Sequence, residues 1–248
     1  MPLRSPRPPA KDGGSFADAA HLRELRSFGR RRGRGLSTHQ RSLLEETLPR
    51  FGLDLASPCL RSLPALFSGT ISETWLEIGF GGAEHLVWQA QQNPGVGFIG
   101  CEVFEDGVVK ALAAIEEHGL VNVRLATEDA RDLLRWLPEA SLRRVFLLFP
   151  DPWPKKRHVK RRLVTGNLIA LLARAMAPGA ELRIATDIGE YARTILLAIR
   201  DHPAFAWEAQ GPEDWRRRGA DWPPTRYEGK AVREGRRCYF FRFRKACP

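Results

Sequence analysis

One short segment combines the residue types that could act on a nucleic-acid base. Residues 149–162 hold a carboxylate (Asp151), a large aromatic ring (Trp153) and three prolines, followed by six Lys or Arg residues. A fixed acid beside a flat ring could orient a base, and the cations could bind the surrounding phosphates. A proline-rich turn before a solvated basic helix would explain the same residues. The position of the segment among the predicted strands and helices is needed to decide between the two interpretations.

Hydrophobic periodicity predicts those elements. Five apolar runs typical of buried strands alternate with five helical segments. The strands are predicted at residues 74–80, 96–103, 121–127, 144–149 and 181–186, and the helices at 83–92, 104–118, 130–137, 163–177 and 188–201. Two later strands, at 205–209 and 239–245, are expected to be joined by a long loop and to form an antiparallel pair at one edge. The pattern predicts an α/β fold with a doubly wound, mostly parallel seven-stranded sheet and a last antiparallel strand.

The amino-terminal part is predicted to be a basic arm. Up to residue 36 it holds nine Lys and Arg against three acidic residues, with frequent Pro, Gly and Ser. We expect residues 1–35 to be disordered and residues 36–248 to form one domain. The arginine-rich stretch 30–35 suits a phosphate backbone, although a solubilising tail would have the same composition. Ser37 and Gln40 resemble a capping box that opens a helix to about residue 48, which Pro49 is expected to end.

Composition favours a polyanionic partner. The chain carries 39 Lys and Arg against 29 Asp and Glu, a net charge of +10. Its four cysteines form no CxxC pair and lie at no metal-ligand spacing with histidine, so we expect reduced thiols and no metal site. No apolar run approaches the roughly 18 residues of a membrane span, and the first residues lack the apolar core of a signal peptide. We therefore expect no membrane partner and a cytoplasmic location.

The first two predicted strands end in glycines and carboxylates. Ligands of parallel sheets bind outside the carboxyl ends of the strands. The first strand ends in Glu77, Gly79 and Gly81, and the second in Glu102, which could accept hydrogen bonds from ribose hydroxyls. The GxGxxG pattern fails, because Glu84 stands at the third glycine position and would oppose a pyrophosphate. A cofactor without phosphate, such as S-adenosylmethionine, fits better, and a glycine turn without a ligand is the alternative.

The other three strand ends also carry acids. Asp129 follows the third strand, Asp151 the fourth and Asp187 the fifth. Asp129 could meet an adenine amino group, but Asp129 and Asp187 are equally suited to cap helices. Acids at all five strand ends together indicate a ligand site along this edge.

Several different short motifs are distributed along residues 26–245. They are Ser27-Phe28, Arg32-Gly33-Arg34, the Glu-Ile-Gly-Phe-Gly turn at 77–81, Gly100-Cys101-Glu102-Val103, Asp129-Ala130, the run from Phe149 to His158, Ala185-Thr186-Asp187, Tyr191-Ala192 and Thr225-Arg226-Tyr227-Glu228. In these motifs the chain resembles the bacterial tRNA (guanine-N7-)-methyltransferases. It departs from that family at Ala83, where glycine is common, at Val159, where a second histidine is common, and in the last strand, which lacks a Trp-Asp pair. Ala83 is small enough for cofactor binding to survive, so the departures concern fine substrate contacts.

The resemblance implies a class I, Rossmann-like methyltransferase fold, S-adenosyl-L-methionine as methyl donor, and a variable-loop guanine of tRNA (position 46) as target. It implies cofactor contacts for Glu77, Glu102, Asp129 and Asp151, beside Gly79 and Gly81 of the turn, and a catalytic role for Asp151. It implies substrate contacts for Lys155, Asp187, Thr225, Arg226, Tyr227 and Glu228. The chain is expected to be a monomer or a homodimer.

Guanine N7 has a free lone pair and no proton, so its methylation needs alignment rather than a strong base. We expect Asp151 to orient the guanine through its N–H edge and to offset the developing positive charge. Trp153 would stack on the base or cover the cofactor. The phosphates would be bound by Lys155, Lys156, Arg157, Lys160, Arg161 and Arg162.

Three other functions remain open from the sequence. A nucleotide-dependent dehydrogenase shares the sheet but needs the missing glycine. A methyltransferase of an RNA amino group would be expected to show Asn/Asp-Pro-Pro-Tyr/Trp, whereas this chain has Asp-Pro-Trp-Pro at 151–154. A non-catalytic RNA-binding protein on the same fold would be expected to lose an acid such as Asp151.

Overall fold

The computed structural model describes residues 31–33, 35–200 and 202–247. Most of the predicted arm therefore lies outside the described residues, and its boundary at residue 35 stays a prediction. Arg31 and Arg32 lie beside the domain. The Arg31 carbonyl accepts a hydrogen bond from the Glu105 amide (2.9 Å), and the Arg32 guanidinium lies 4.0 Å from the Glu105 carboxylate.

Seven strands form one sheet, as predicted. They are β1 (Glu73–Ile78), β2 (Val96–Cys101), β3 (Val123–Ala126), β4 (Leu142–Leu148), β5 (Met176–Thr186), β6 (Phe205–Trp207) and β7 (Tyr239–Lys245). Their order in the sheet is β3-β2-β1-β4-β5-β7-β6. The first five strands pair in parallel, and β7 is antiparallel to both β5 and β6. The predicted mostly parallel sheet with a last antiparallel strand is confirmed.

Helices connect the strands and cover both faces of the sheet. They are α1 (Thr38–Ser42), α2 (Leu48–Phe51), α3 (Glu84–Gln92), α4 (Glu105–His118), α5 (Ala130–Trp136), α6 (Gly166–Ala175), α7 (Gly189–Arg200), α8 (Glu213–Arg216) and α9 (Arg226–Arg233). The π-helical turn Leu43–Thr47 joins α1 to α2, and 3₁₀ turns span Leu63–Leu66 and Lys156–Arg161. No helix of the described ranges is long and apolar enough to cross a membrane.

The two faces of the sheet bury separate apolar clusters because side chains alternate along a strand. Leu76 and Val145 belong to one cluster, while their neighbours Trp75 and Phe146 belong to the other. All four side chains are buried. Burial on both faces explains why the central strands read as continuous apolar runs in the sequence.

Three details of the predicted elements are wrong. The first helix continues past Pro49 and ends at Phe51. The π-helical turn ends at Thr47 and a new helical segment begins at Leu48. Pro49 therefore lies in the first turn of that segment, where a residue without an N–H group is tolerated. The connection between β6 and β7 contains two short helices, α8 and α9, rather than a loop alone. Strand β5 begins at Met176, directly after α6, and runs through Pro178 and Gly179, which had been expected to separate the two elements.

The capping box is confirmed. The Ser37 hydroxyl accepts a hydrogen bond from the Gln40 amide, and the Gln40 side chain accepts one from the Ser37 amide. Gly119 ends α4 in the left-handed conformation (φ 60°), as a C-cap glycine does.

Candidate active site

A cavity of about 390 Å³ opens at the carboxyl ends of β1 to β4, a volume within the range of small-molecule sites. It lies where the strand order changes direction, because β1 pairs with β2 on one side and with β4 on the other. Nine residues singled out from the sequence line it together, namely Gly79, Gly81, Glu102, Asp129, Asp151, Trp153, Arg161, Arg226 and Tyr227.

The glycine turn after β1 forms the floor of the cavity. Gly79 and Gly81 have φ values of 73° and 55°, the left-handed region that a side chain disfavours. A Cβ atom at Gly107 of α4 would lie 2.4 Å from the Gly81 carbonyl oxygen, so Gly107 lets this helix pack against the turn. Ala83, at the family's glycine position, is also left-handed (φ 67°) and fully buried.

Glu102 ties the end of β2 to this turn. One carboxylate oxygen accepts a hydrogen bond from the Gly81 amide (2.9 Å) and the other accepts one from the Phe104 amide (2.9 Å). A carboxylate offers about four lone-pair positions, so both oxygens keep acceptor capacity toward the cavity. Glu102 thus fits a ligand with vicinal hydroxyl groups.

Asp129 lines the cavity and caps α5. Its carboxylate accepts hydrogen bonds from the Arg131 amide (2.9 Å) and from the Arg131 guanidinium (3.0 and 2.9 Å). Both side chains are buried. The structure therefore shows the capping interpretation, while a contact between Asp129 and a cofactor stays a prediction.

Glu77 does not line the cavity. Its side chain is 4% exposed, and one carboxylate oxygen lies 2.7 Å from Nδ1 of the buried His85 in α3. The carboxylate thus already has a partner beneath the sheet. Its predicted role as a cofactor ligand is untested.

Asp151 stands at the mouth of the cavity, after β4. Solvent reaches the residue, yet partial burial raises the pKa of its carboxyl above the ordinary value of 3.8. The chain around it is sharply folded, because Phe149 (φ 50°) and Trp153 (φ 43°) both adopt the left-handed conformation that bulky residues rarely occupy. We call residues 149–162 the Asp151 rim.

The cations of the Asp151 rim have different surroundings. Lys155, Lys156, Arg157 and Lys160 are exposed, as expected for residues that bind phosphates. Arg161 lines the cavity with its guanidinium 5.0 Å from the centre of the Trp153 ring. The ring is therefore covered on one side by a cation.

Arg162 corrects the prediction that all six cations bind phosphates. It is 2% exposed, and its guanidinium donates to the Pro152 carbonyl (2.9 Å), the Thr194 hydroxyl (3.0 Å) and the Glu190 carboxylate (3.2 Å). It also lies over the ring of Tyr191, whose pKa burial raises to about 12. Arg162 holds the Asp151 rim against α7, because its fork of donors matches a carbonyl and side-chain oxygens that a lysine could not reach together.

Residues 219–228, which we call the Tyr227 rim, bring two side chains to the cavity. Arg226 and Tyr227 line the cavity and bond to each other, with 3.2 Å between the Arg226 guanidinium and the Tyr227 hydroxyl. Arg226 also lies 3.8 Å from the carboxylate of Glu84. A cation thus faces the residue at the third glycine position of the turn.

The remaining predicted substrate residues lie outside the cavity lining. Thr225 caps α9 by accepting a hydrogen bond from the Glu228 amide (3.2 Å), and the Glu228 carboxylate pairs with Arg218 (3.0 Å). Asp187 accepts a hydrogen bond from Arg236 (2.8 Å). Lys155 is exposed on the Asp151 rim. Their substrate contacts stay predictions.

Sequence reasoning missed the support of the Tyr227 rim. Trp222 is 2% exposed and packs edge-on against His85 and Phe240, with ring centres 6.4 and 5.4 Å apart. Arg183 of β5 donates a hydrogen bond to the Asp221 carboxylate (2.6 Å) and lies over the Trp222 ring (5.6 Å). The sequence contained one sign of this support. Trp222 stands directly before two prolines, which restrict the backbone.

Within the described ranges, no group of three His, Cys, Asp or Glu side chains could hold a metal ion. The acids of the cavity face glycine turns and helix starts rather than one another. The arrangement can therefore bind a polar organic molecule and place it beside Asp151.

The chain is similar in sequence and in fold to known proteins. A family model described as "Putative methyltransferase" matches residues 72–241. The chain is 48% identical to a tRNA (guanine-N(7)-)-methyltransferase of Rhodospirillum rubrum, over 90% of this chain and 88% of that protein. It is 47% identical to one of Chelativorans sp., over 87% of this chain and 93% of that protein. The solved [4+2]-cyclase SpnF has the same fold, with a TM-score of 0.50, 14% identity, and coverage of 85% of this chain and 95% of that one.

Proposed function

Since the chain belongs to the tRNA (guanine-N(7)-)-methyltransferase family, we propose that it transfers a methyl group from S-adenosyl-L-methionine to N7 of a tRNA guanine, in the variable loop at position 46. The observation that carries this proposal is a single cavity lined by Gly79, Gly81, Glu102 and Asp151, bordered by exposed cations. A tRNA substrate implies a cytoplasmic location.

The residues of the cavity fit the methyl donor. When bound, S-adenosyl-L-methionine supplies an electrophilic methyl group on a sulfonium sulfur. The acceptor capacity of Glu102 suits ribose hydroxyls, and the open backbone of Gly79 and Gly81 allows close approach. The glycine turn offers no lysine or arginine of its own to a pyrophosphate, and Glu84 stands beside it. A carboxylate at this point of the turn favours a cofactor that places no phosphate there, and Arg226 pairs with that carboxylate (3.8 Å).

The target base needs to be oriented and its charge balanced. Guanine N7 has a lone pair and no proton, so no side chain has to remove one. Asp151 holds an acceptor at the cavity mouth for the N–H edge of the guanine, and its negative charge offsets the positive charge that forms on the base. Trp153 lines the cavity beside Arg161 and supplies an aromatic ring on which the base stacks.

The exposed cations of the Asp151 rim bind the phosphates that flank the guanine. Lys155, Lys156, Arg157 and Lys160 are exposed within a few residues of Asp151. Such contacts make affinity fall as salt concentration rises. Arg226 and Tyr227 also line the cavity, so the nucleotide contacts both rims.

One assay tests the proposal. Purified protein, unmodified tRNA and labelled methyl donor are incubated, and the nucleosides of the product are separated. We expect 7-methylguanosine as the labelled nucleoside, formed about a thousandfold less efficiently by Asp151→Asn protein that still binds the donor. Label in another nucleoside, or full activity of the variant, would refute the assignment.

A further inference from the structure

A buried row of polar side chains runs beneath the sheet from the end of β1 to the Tyr227 rim. The exposed fractions of Glu77, His85 and Gln89 are 4%, 3% and 2%. The Glu77 carboxylate lies 2.7 Å from His85 Nδ1, and His85 Nε2 lies 3.3 Å from the Gln89 amide nitrogen. That nitrogen also donates to the Asp221 carbonyl at 3.0 Å. Hydrogen bonds therefore connect strand β1 to a residue far along the chain.

The partners fix the direction of these hydrogen bonds. The Gln89 amide nitrogen can only donate, so His85 Nε2 accepts from it. His85 then carries its proton on Nδ1 and donates it to Glu77. Each member of the row thus has a defined role, and replacing one member changes what its neighbour can bond.

The His85 ring also supports Trp222. It packs edge-on against Phe146 of β4 (4.6 Å between ring centres) and against Trp222 (6.4 Å). On the other side, Arg183 lies over the Trp222 ring and bonds the Asp221 carboxylate. Asp221 and Trp222 are therefore fixed by both backbone and side-chain contacts.

A short segment connects Trp222 to the side chains that line the cavity. Thr225, three residues after Trp222, caps α9, and the next two residues, Arg226 and Tyr227, line the cavity. Two prolines, at positions 223 and 224, restrict the connection. A shift of Trp222 would therefore be transmitted to the side chains that face the nucleotide.

We propose that His85 is a positioning residue for the RNA substrate, which acts by holding Asp221 and Trp222 so that Arg226 and Tyr227 keep their places on the Tyr227 rim. Glu77 takes part by accepting a hydrogen bond from Nδ1 of His85. This inference rests on the proposed function, because it assigns the Tyr227 rim to the tRNA.

Two substitutions separate the ring of His85 from its hydrogen bonds. His85→Phe keeps a ring against Phe146 and Trp222 but removes both hydrogen bonds. His85→Gln places an amide oxygen near the position of Nε2 and so preserves the bond from Gln89 that leads to Asp221. His118→Phe, at an exposed position in the last turn of α4, is the matched control.

The dissociation constants of tRNA and of S-adenosylmethionine are measured separately, by filter binding and by calorimetry. We expect His85→Phe to weaken tRNA binding about tenfold and to leave the constant for S-adenosylmethionine within about twofold, with His85→Gln recovering most of the loss. An equal loss for both ligands in His85→Phe would overturn the proposal, as would unchanged tRNA binding.

Gln89→Met provides a second test that does not depend on the stability of His85→Phe. Methionine has a similar volume but no donor, so the row is cut between His85 and Asp221 while the His85 ring stays in place. We expect weaker tRNA binding with the constant for S-adenosylmethionine within about twofold of the unsubstituted protein, whereas unchanged tRNA binding would overturn the proposal. Both experiments measure binding, so a failure of the proposed function would appear separately, as the absence of 7-methylguanosine with the unsubstituted protein.

Discussion

The Asp151 rim and the Tyr227 rim face the same cavity, but different anchors hold them. The Asp151 rim is fixed by one buried cation, Arg162, which donates to a backbone carbonyl and to two side chains of α7. The Tyr227 rim is fixed by the ring of Trp222, packed against His85 and Phe240. The first rim presents an acid and exposed cations, and the second presents Arg226 and Tyr227.

The comparison shows that two kinds of anchor can hold the segments that carry the reactive and binding side chains. A guanidinium has a fixed fork of donors, so it can hold an irregular loop whose backbone lacks regular partners. An aromatic ring holds its segment by packing, which tolerates similar shapes. We therefore expect the Asp151 rim to depend on the donors of a single cation, and the Tyr227 rim on the packing of Trp222 together with the hydrogen bonds that hold Asp221. The following changes test this contrast, from the largest expected effect to the smallest.

Asp151→Asn should lower kcat/KM for tRNA methylation by about a thousandfold, because it removes the charge that offsets the methylated base. The fold should not suffer. Burial raises the pKa of this carboxyl, so the ionised form costs the folded state some stability at neutral pH, and that cost disappears as pH falls through the raised pKa. Tyr227→Phe, on the opposite rim, is the comparison variant. Equal losses of kcat/KM in the two variants would remove the contrast between the rims.

The same raised pKa predicts the acid limb of the activity profile. If the ionised carboxylate is required, kcat/KM should fall on acidification at a pH above 3.8, the ordinary value for an aspartic acid. The profile of kcat/KM against pH, measured with saturating methyl donor, checks this. An acid limb at or below the ordinary value would show that partial burial does not govern Asp151.

Arg162→Met should lower the free energy of unfolding by about 2 kcal/mol, because the Pro152 carbonyl loses its donor. Denaturant unfolding measures the change. Arg157→Met, at an exposed neighbouring position, is the control and should stay within about 0.5 kcal/mol. Equal effects at the two positions would mean that Arg162 is not the anchor of its rim.

Replacing Lys155 and Lys156 together by Gln should weaken tRNA binding and flatten its dependence on salt. Two lost phosphate contacts should reduce the slope of log K against log salt by about 1.5. Lys245→Gln is the control, since the end of β7 lies beside the amino end of the parallel part of β5, away from the carboxyl ends that border the cavity. A slope equal to that of the unsubstituted protein would exclude these lysines from phosphate binding.

Ala83→Gly should have the smallest effect. A left-handed alanine costs about 1 kcal/mol relative to glycine, but the buried methyl group is lost from the core. We expect unfolding free energy to rise by no more than about 0.5 kcal/mol, with donor affinity unchanged. Thermal unfolding and calorimetry check the two values, and a marked loss of donor affinity would mean that the methyl group itself shapes the turn.

The sequence predicted the sheet and the Asp151 rim because both rest on local patterns. Apolar runs reveal strands that are buried on both faces, and the cations next to Asp151 are contiguous. It could not separate Arg162 from its exposed neighbours, because the partners that bury it, Thr194 and Glu190, lie about thirty residues later. The row from Glu77 through His85 to Asp221 depends on an even longer separation, and no local pattern marks it.

The most direct test of the account uses two transcripts of one tRNA that differ only in the variable-loop nucleotide at position 46, guanine in one and adenine in the other. With labelled methyl donor and excess protein, we expect about one methyl group for each guanine transcript, recovered as 7-methylguanosine, and none for the adenine transcript. Equal labelling of the two transcripts, or label recovered in a different nucleoside, would contradict the account.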